Sequence, residues 1–337
     1  MMHRSLNNLL YTLLILLFPV LSFAQSAKLV PAKKTVKLMG SRFEITAVAE
    51  SEAQAWQAVE AGIAEISRIE RLISSWDPNS QTSLINRMAG STAVNVDEEL
   101  FQLIERAKKV AQLTDGAFDI SFASMERLYT FDGTERPIPD LAQRETSVAL
   151  INWQNIETDA ATNSVRLAQK GMRIGFGGIG KGYAADKAKA VMAAMEGVHG
   201  GLVNAGGDLS AWGKSSNSDF WPVQIANPQN KETALGWLEL TDLAIVTSGD
   251  YEKFFTSGGK RYAHIINPQT GLPSTGITSV SIICPNAEFA DGLATSVFIL
   301  GKDEGLRLIN YLDQVEGLII TDSGDVLTST NLNLNYY

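Results

Sequence analysis

The chain of 337 residues predicts an α+β fold with largely antiparallel sheets flanked by helices. Two observations lead there. Alternating strand-like runs and longer runs at helical spacing are mixed without a regular βαβ rhythm, and no tandem repeat of 20 to 50 residues marks a solenoid or propeller. The length suits one large domain with two lobes or two domains; we take residues 37–337 as one domain with two lobes, behind a leader at 25–36 and a targeting segment at 1–24.

The targeting segment has His3 and Arg4 near its start, an apolar run from Leu9 to about Phe23, and Ser22-Phe23-Ala24 before Gln25. It is too short to span a bilayer and ends in small residues, as a cleaved secretory signal does. The mature protein is therefore expected to be soluble and periplasmic, with no later span. Lys37 to Val48 reads as a strand, with Phe43, Ile45 and Ala47 alternating. From Glu52 to Ile73, Trp56, Val59, Ile63, Ile66 and Ile73 recur at helical spacing. Ser74 to Arg87 (SSWDPNSQTSLINR) reads as a polar loop, and Asn95 to Leu113 as a helix capped by Asn95. Asp119 lies in an otherwise apolar stretch.

Short strands are expected within Asn152 to Arg166 and at Met172 to Phe176, then a helix from the glycine loop to about Met195. Gly201 to Trp212 reads as a strand broken at Gly206-Gly207-Asp208. Further strands are expected at Trp221 to Asn227, Ala244 to Ser248 and 276 to 284, with a helix from about Ala290 to Leu300.

Composition narrows the function classes. The formal charge is −9 and no basic stripe is visible, which disfavours nucleic acid and anionic lipid as partners. One cysteine, Cys284, permits no intrachain disulfide, and His199 and His264 are the histidines outside the targeting segment. That leaves no zinc constellation, so any metal would be a hard, oxygen-bound cation such as Mg²⁺.

Gly175 to Asp186 (GFGGIGKGYAAD) places five glycines and a lysine in eight residues before a helical pattern. Such a loop lets backbone N–H groups approach a phosphate at a helix start. It fits G-x-G-x-x-G and the first part of G-x-x-x-x-G-K, but position 182 is Gly where a P-loop has Ser or Thr. A plain strand-to-helix crossing fits equally well. Asp291 and Thr295, four apart, project from one helical face and could ligate one Mg²⁺, or else cap the helix and bond back to a carbonyl. His264 could act as a general base or be structural, and Lys181 could neutralise a phosphate or lie exposed in the first turn.

Taken in order, Met39-Gly40-Ser41, SSWDPNSQTSLIN, TDGAFD, GGIGKGYAAD, NAGGD, VTSGDYEKFF, HIINPQTG and DGLATS resemble the ApbE family of FAD:protein FMN transferases. The resemblance implies a T-fold-like architecture that binds FAD as substrate with a divalent cation, usually Mg²⁺. It implies transfer of FMN from FAD to a Ser or Thr hydroxyl of an exported acceptor flavoprotein, with release of AMP. Asp291, Thr295 and the Gly180 carbonyl are then the metal ligands, and His264 the base. Met39, Ser41, Asp119, Gly178, Lys181, Asp186, Asn204, Gly206, Asp208 and Ser248 are expected to line or shape the flavin site. Three departures stand out: Gly175 replaces a residue that is often Asp and Gly180 one that is commonly Ala, Asn267 replaces a residue that is often Asp, and there is no lipid-bearing cysteine. An FAD pyrophosphatase and a non-catalytic flavin-binding protein are the alternatives.

Overall fold

A computed structural model describes residues 28–125, 128–227, 233–250 and 254–335. The targeting segment 1–24 lies outside the described residues, as do residues 251–253 of VTSGDYEKFF. Strand β1 (Val30–Leu38) turns through Met39 and Gly40, both at positive φ (48° and 72°), into β2 (Ser41–Ala49). The expected single strand at 37–48 is thus the tip of a hairpin, and most of the expected leader belongs to the sheet. Helix α1 (Glu52–Ile73) has the expected bounds, because the Ser51 hydroxyl accepts from the Gln54 N–H and its apolar stripe faces the core.

The 74–87 loop is shorter than expected: residues 81–87 form α2 (Gln81–Arg87), capped by Ser80. Asn95 is not a cap but ends β3 (Val94–Asn95), and α3 (Glu98–Leu113) begins after Asp97. After α4 (Leu141–Val148), β4 (Ile156–Asp159) and β5 (Ser164–Leu167) pair beside β3. Residues 172–176 are not a strand, and α5 (Gly180–Ala193) opens inside the glycine loop.

Strand β6 (Val198–Ala205) and β7 (Asp208–Gly213) form the hairpin broken at Gly206-Gly207, and β8 (Trp221–Ala226) pairs with β9 (Ala234–Leu240). Next come β10 (Ala244–Gly249), the hairpin of β11 (Phe254–Ser257) with β12 (Lys260–Ala263), and β13 (Ile277–Cys284). Helices α6 (Ala287–Leu300) and α7 (Lys302–Tyr311), then β14 (Glu316–Thr321) and β15 (Val326–Thr328), complete the described chain.

Among the described residues the main sheet runs β1-β2-β6-β7-β10-β13-β14-β15, and every strand pair in it is antiparallel. Both faces are covered. Val280, Ile282 and Cys284 of β13 join the helical core with Phe43, Ile45 and Val246, while Ile283, Ile245 and Leu318 join a second core under β8 and β9. The period-two alternation of a strand separates the two sets, and two-sided burial explains the unbroken apolar run Ile282-Ile283-Cys284. Each fully buried Ile or Phe there stabilises the fold by ~1.5–3 kcal/mol.

Helix α5 is held by polar contacts as well. Tyr183 donates to Glu99 of α3 (2.6 Å), and Arg68 of α1 grips the same carboxylate at 2.6 and 2.9 Å. These bonds fix the helix that begins at the glycine loop against α1 and α3.

Candidate functional site

The turn of the β1–β2 hairpin, the glycine loop, the end of β10 and one face of α6 surround a cavity of about 540 Å³. Of the residues singled out in the sequence, Met39, Ser41, Gly178, Lys181, Gly206, Ser248, His264, Asp291 and Thr295 line it. The chain brings them together from positions 39 to 295. Each arrives by local logic: the positive φ of Met39 and Gly40 turns the hairpin tip inward, and Gly206 (φ 71°) lets the β6–β7 turn pass close to Ser41.

Asp291 and Thr295 lie one turn apart on α6 and face the cavity together. Asp291 is only 4% exposed, and its Oδ2 accepts the Gly182 N–H at 3.1 Å, with the Lys181 backbone holding the same carboxylate. It therefore caps α5 from another helix, where Ile179 offers no side-chain cap. This changes the reading of the loop. The helix-start N–H groups expected to cradle a phosphate are engaged by Asp291, so anion recognition falls to Lys181, the wall glycines and any cation held beside them.

Asp208 is 1% exposed and is ion-paired with Lys181, which orients the ammonium at the cavity. Burial, and then the charge of Asp208, push the Asp291 carboxyl up to about 7, while Lys181 and the two backbone N–H groups pull it down. Two buried carboxylates around one ammonium leave surplus negative charge. Among the described residues no three His, Cys, Asp or Glu side chains gather as a metal cluster. The donors on hand are one carboxylate, one hydroxyl and backbone oxygens, a hard set that suits Mg²⁺ completed by phosphate and water oxygens. The residues present therefore fit a divalent cation. Gly180 is buried behind the wall, packed toward Ile73 and Phe176, whereas Gly178 is the glycine facing Thr295: a Cβ there would be 3.4 Å from Oγ1.

Besides Gly180 and Asp208, which are buried behind the wall, three expected residues do not line this cavity. The Asp186 carboxylate accepts from the Ser210 hydroxyl (3.1 Å) and the Glu288 N–H (2.9 Å), tying α5 to β7 and to the start of α6. Asn204 follows the strand alternation away from Val203 and Ala205 onto the opposite face of the sheet, where it caps the turn through the Gly207 N–H (2.8 Å). Asp119 borders an adjoining cavity of about 400 Å³, but its oxygens are taken by the Ser121 N–H and hydroxyl and by the Trp153 N–H. Burial raises its pKa against those bonds.

His264 follows β12 directly, outside the strand, and stands edge-on to Phe131 (centroids 6.3 Å apart, 76°). It borders the first cavity, the adjoining one and a third of about 580 Å³; Ser75 and Trp76 are shared by all three as well. The hairpin that carries it is fastened to the main sheet by Arg261, which donates to both oxygens of Asp250 (3.2 and 3.0 Å). The Asn267 oxygen accepts from the Gln269 and Thr270 N–H groups and shapes the turn after His264, a task an Asp could share. At Gly175 a Cβ would come within 3.1 Å of the Ala123 Cβ, so a carboxylate there would crowd this wall.

Sequence reasoning missed Glu70, Trp76 and Thr247 as cavity residues. Glu70 is indistinguishable from any charged helix position, but Trp76, an aromatic inside a polar turn, carried a signal that could have been used.

The model of the ApbE family matches residues 39–319. A FAD:protein FMN transferase of Treponema pallidum is 31% identical over 296 residues, 83% of this chain and 81% of that protein. One of Klebsiella pneumoniae is 29% identical over 301 residues, 89% of this chain and 92% of its own. The crystal structure of an ApbE protein from Thermotoga maritima superimposes with a TM-score of 0.80 at 29% identity, covering 89% of this chain and 97% of that one.

Proposed function

Because the chain belongs to the ApbE family, whose relatives include FAD:protein FMN transferases, we propose that it transfers FMN from FAD to a Ser or Thr hydroxyl of an acceptor flavoprotein, releasing AMP. The observation that carries this reading is one cavity lined at once by a histidine, a lysine and an Asp–Thr oxygen pair. Mere flavin binding needs no base.

In this reading the acceptor hydroxyl gives its proton to His264 as its oxygen bonds to the phosphorus of the FMN half. The bond from that phosphorus to the bridging oxygen breaks, and AMP leaves with the electron pair. Lys181, oriented by Asp208, offsets phosphate charge, and the Gly178 and Gly206 backbones let the ligand approach closely. Asp291 and Thr295 would hold Mg²⁺, which supplies charge neutralisation on the pyrophosphate when bound.

The test incubates the protein with FAD, Mg²⁺ and a candidate acceptor domain and follows AMP and covalent flavin fluorescence. Covalent flavin with AMP supports transfer. AMP with no covalent flavin points to the pyrophosphatase, and bound FAD with neither product to a flavin-binding protein.

Export by the segment 1–24 and action on an exported acceptor in the periplasm belong to the same proposal. Its support is the apolar run followed by small residues, and no described helix is long and apolar enough to cross a membrane.

Asp291 supplies a pH test of the metal role. Its folded-state pKa is raised from 3.8 to about 7, so the stability tied to its protonated form is full below 3.8 and lost as pH rises toward 7. A cation on the ionised carboxylate offsets that loss. Mg²⁺ is expected to raise the melting temperature clearly near pH ~8 and little near pH ~5, with Asp291→Asn removing the difference. Equal Mg²⁺ effects at both pH values, or an unchanged response in Asp291→Asn, would count against Asp291 as a ligand.

A further inference from the structure

We propose that Asp186 is a positioning residue for the cation: by capping the first turn of α6 it fixes the helix rotation that turns Asp291 and Thr295 to the cavity, and so sets the affinity for the metal. The inference deepens the transferase reading and rests on the cation in it. It gives Asp186, which does not line the first cavity, a task carried out from behind the wall.

Helices α5 and α6 touch at Gly182 and Ala287, where a Cβ on the glycine would come within 2.1 Å of the Ala287 carbonyl oxygen. Each helix carries an aspartate one turn beyond its contact residue, Asp186 on α5 and Asp291 on α6. Each aspartate caps the other helix. Asp291 accepts from the Gly182 N–H (3.1 Å) and the Lys181 N–H, and Asp186 accepts from the Glu288 N–H (2.9 Å) and the Ala287 N–H. First-turn N–H groups favour a carboxylate through hydrogen bonding and the macrodipole together. Because the exchange is reciprocal, neither helix can slide or turn without stretching bonds at both starts.

The clamp is anchored on three sides. The other Asp186 oxygen accepts from the Ser210 hydroxyl of β7 (3.1 Å), which ties it to the main sheet. The next N–H of α6, on Phe289, is held by the Asn286 side chain (2.8 Å). Arg106 of α3 pairs with the Glu288 carboxylate (2.7 Å) and offsets that like charge beside Asp186.

A helix advances about 100° per residue, so a modest rotation of α6 would swing both oxygen donors off the cavity. Mg²⁺ demands near-ideal octahedral geometry and tolerates such displacement poorly. Groups that orient metal ligands without touching the metal typically govern about 10–100-fold of its affinity.

The test uses the FAD-loaded protein with Mn²⁺ as the probe metal. Free Mn²⁺ is read by its EPR signal, FAD affinity without metal by flavin fluorescence, and folding by the melting transition. Asp186→Asn, which keeps the shape but gives up one acceptor oxygen, is expected to weaken Mn²⁺ binding about tenfold while metal-free FAD affinity stays near the wild-type value. In transfer assays the Mg²⁺ concentration giving half-maximal rate should rise by the same factor, and the rate at saturating Mg²⁺ should return to that of the wild type. Asp186→Glu keeps the charge but presses on a tight crossing, and its Mn²⁺ affinity should fall between the two. Ser210→Ala releases the tie to β7 alone and should bind Mn²⁺ nearly as the wild type does.

Wild-type Mn²⁺ affinity in either folded Asp186 variant, an equal loss in Ser210→Ala, or failure of both Asp186 variants to fold overturns the positioning role. Undiminished Mn²⁺ binding in Asp291→Asn, or none in the wild type, overturns the cation reading beneath it. Bound FAD with no covalent flavin on any acceptor overturns the transferase reading instead, and Mn²⁺ affinity still judges Asp186.

Discussion

His264→Ala is expected to slow covalent flavin transfer by ~10²–10⁴-fold while FAD affinity stays near the wild-type value. The split between rate and affinity follows from where the residue stands. FAD would contact walls supplied by the β1–β2 turn, the glycine loop, β10 and α6, and none of these depends on the imidazole. His264 comes from a separate hairpin pinned by the Arg261–Asp250 pair, at the place where all three cavities meet. Removing it takes away a proton acceptor and leaves the flavin walls standing. Single-turnover transfer measured beside flavin fluorescence titration checks the claim. Wild-type transfer by the variant would refute the role of base, and a parallel loss of FAD binding would make His264 a binding residue.

The second large effect is on stability. Gly182→Ser, which would complete a P-loop pattern on paper, is expected to cost ~3 kcal/mol or more. A Cβ at 182 would lie 2.1 Å from the Ala287 carbonyl oxygen, 2.6 Å from its carbon and 2.9 Å from the Glu288 nitrogen. Those are backbone atoms of the first turn of α6, so no side chain can swing aside to make room. The two helices would have to part, and the Gly182 N–H would lose its bond to Asp291. At roughly 2 °C per kcal/mol, the lower end for larger domains, the melting temperature should fall by about 6 °C or more. Gly177→Ala is the control in the same loop: its Cβ would meet open space at ordinary φ, and it should melt close to wild type. A Gly182→Ser protein that melted within a degree of wild type would remove the close crossing as an explanation.

The close crossing at Gly182 separates what is local in the sequence from what is not. A glycine in place of the expected hydroxyl looked like a missing metal ligand, yet its reason is a helix whose contact lies 105 residues further along the chain, at Ala287. Local signals served well where the cause was local. The apolar spacing and the Ser51 cap located α1, and the Gly206-Gly207 pair located the break between β6 and β7. They failed where partners decided the outcome. The lysine-rich β1 reads as a polar leader because an edge strand can keep one side in water. Asn95 lost the cap position because its segment pairs with β5.

The site divides in the same way. His264, Asp291, Thr295 and Lys181 were visible as residue types in a recognisable order, and the fold gathers them at one cavity. Invisible were Asp291 acting as the cap of α5 and Asp208 as the partner of Lys181, since both are facts about the packing of distant segments. Asn204 was assigned to the flavin wall from its motif, but strand alternation turned it to the other face.

The scattered origin of the cavity wall has a kinetic meaning. Its residues run from Met39 to Thr295, so the binding surface comes into being only when contacts of very long sequence separation have closed, the slow kind in folding. A partly folded chain lacking either the first hairpin or α6 has no site to offer. Ligand binding would therefore reward only the finished structure, by about 2.7 kcal/mol at a free concentration one hundred times the dissociation constant. The substrate would thus select for completely folded molecules before any chemistry takes place.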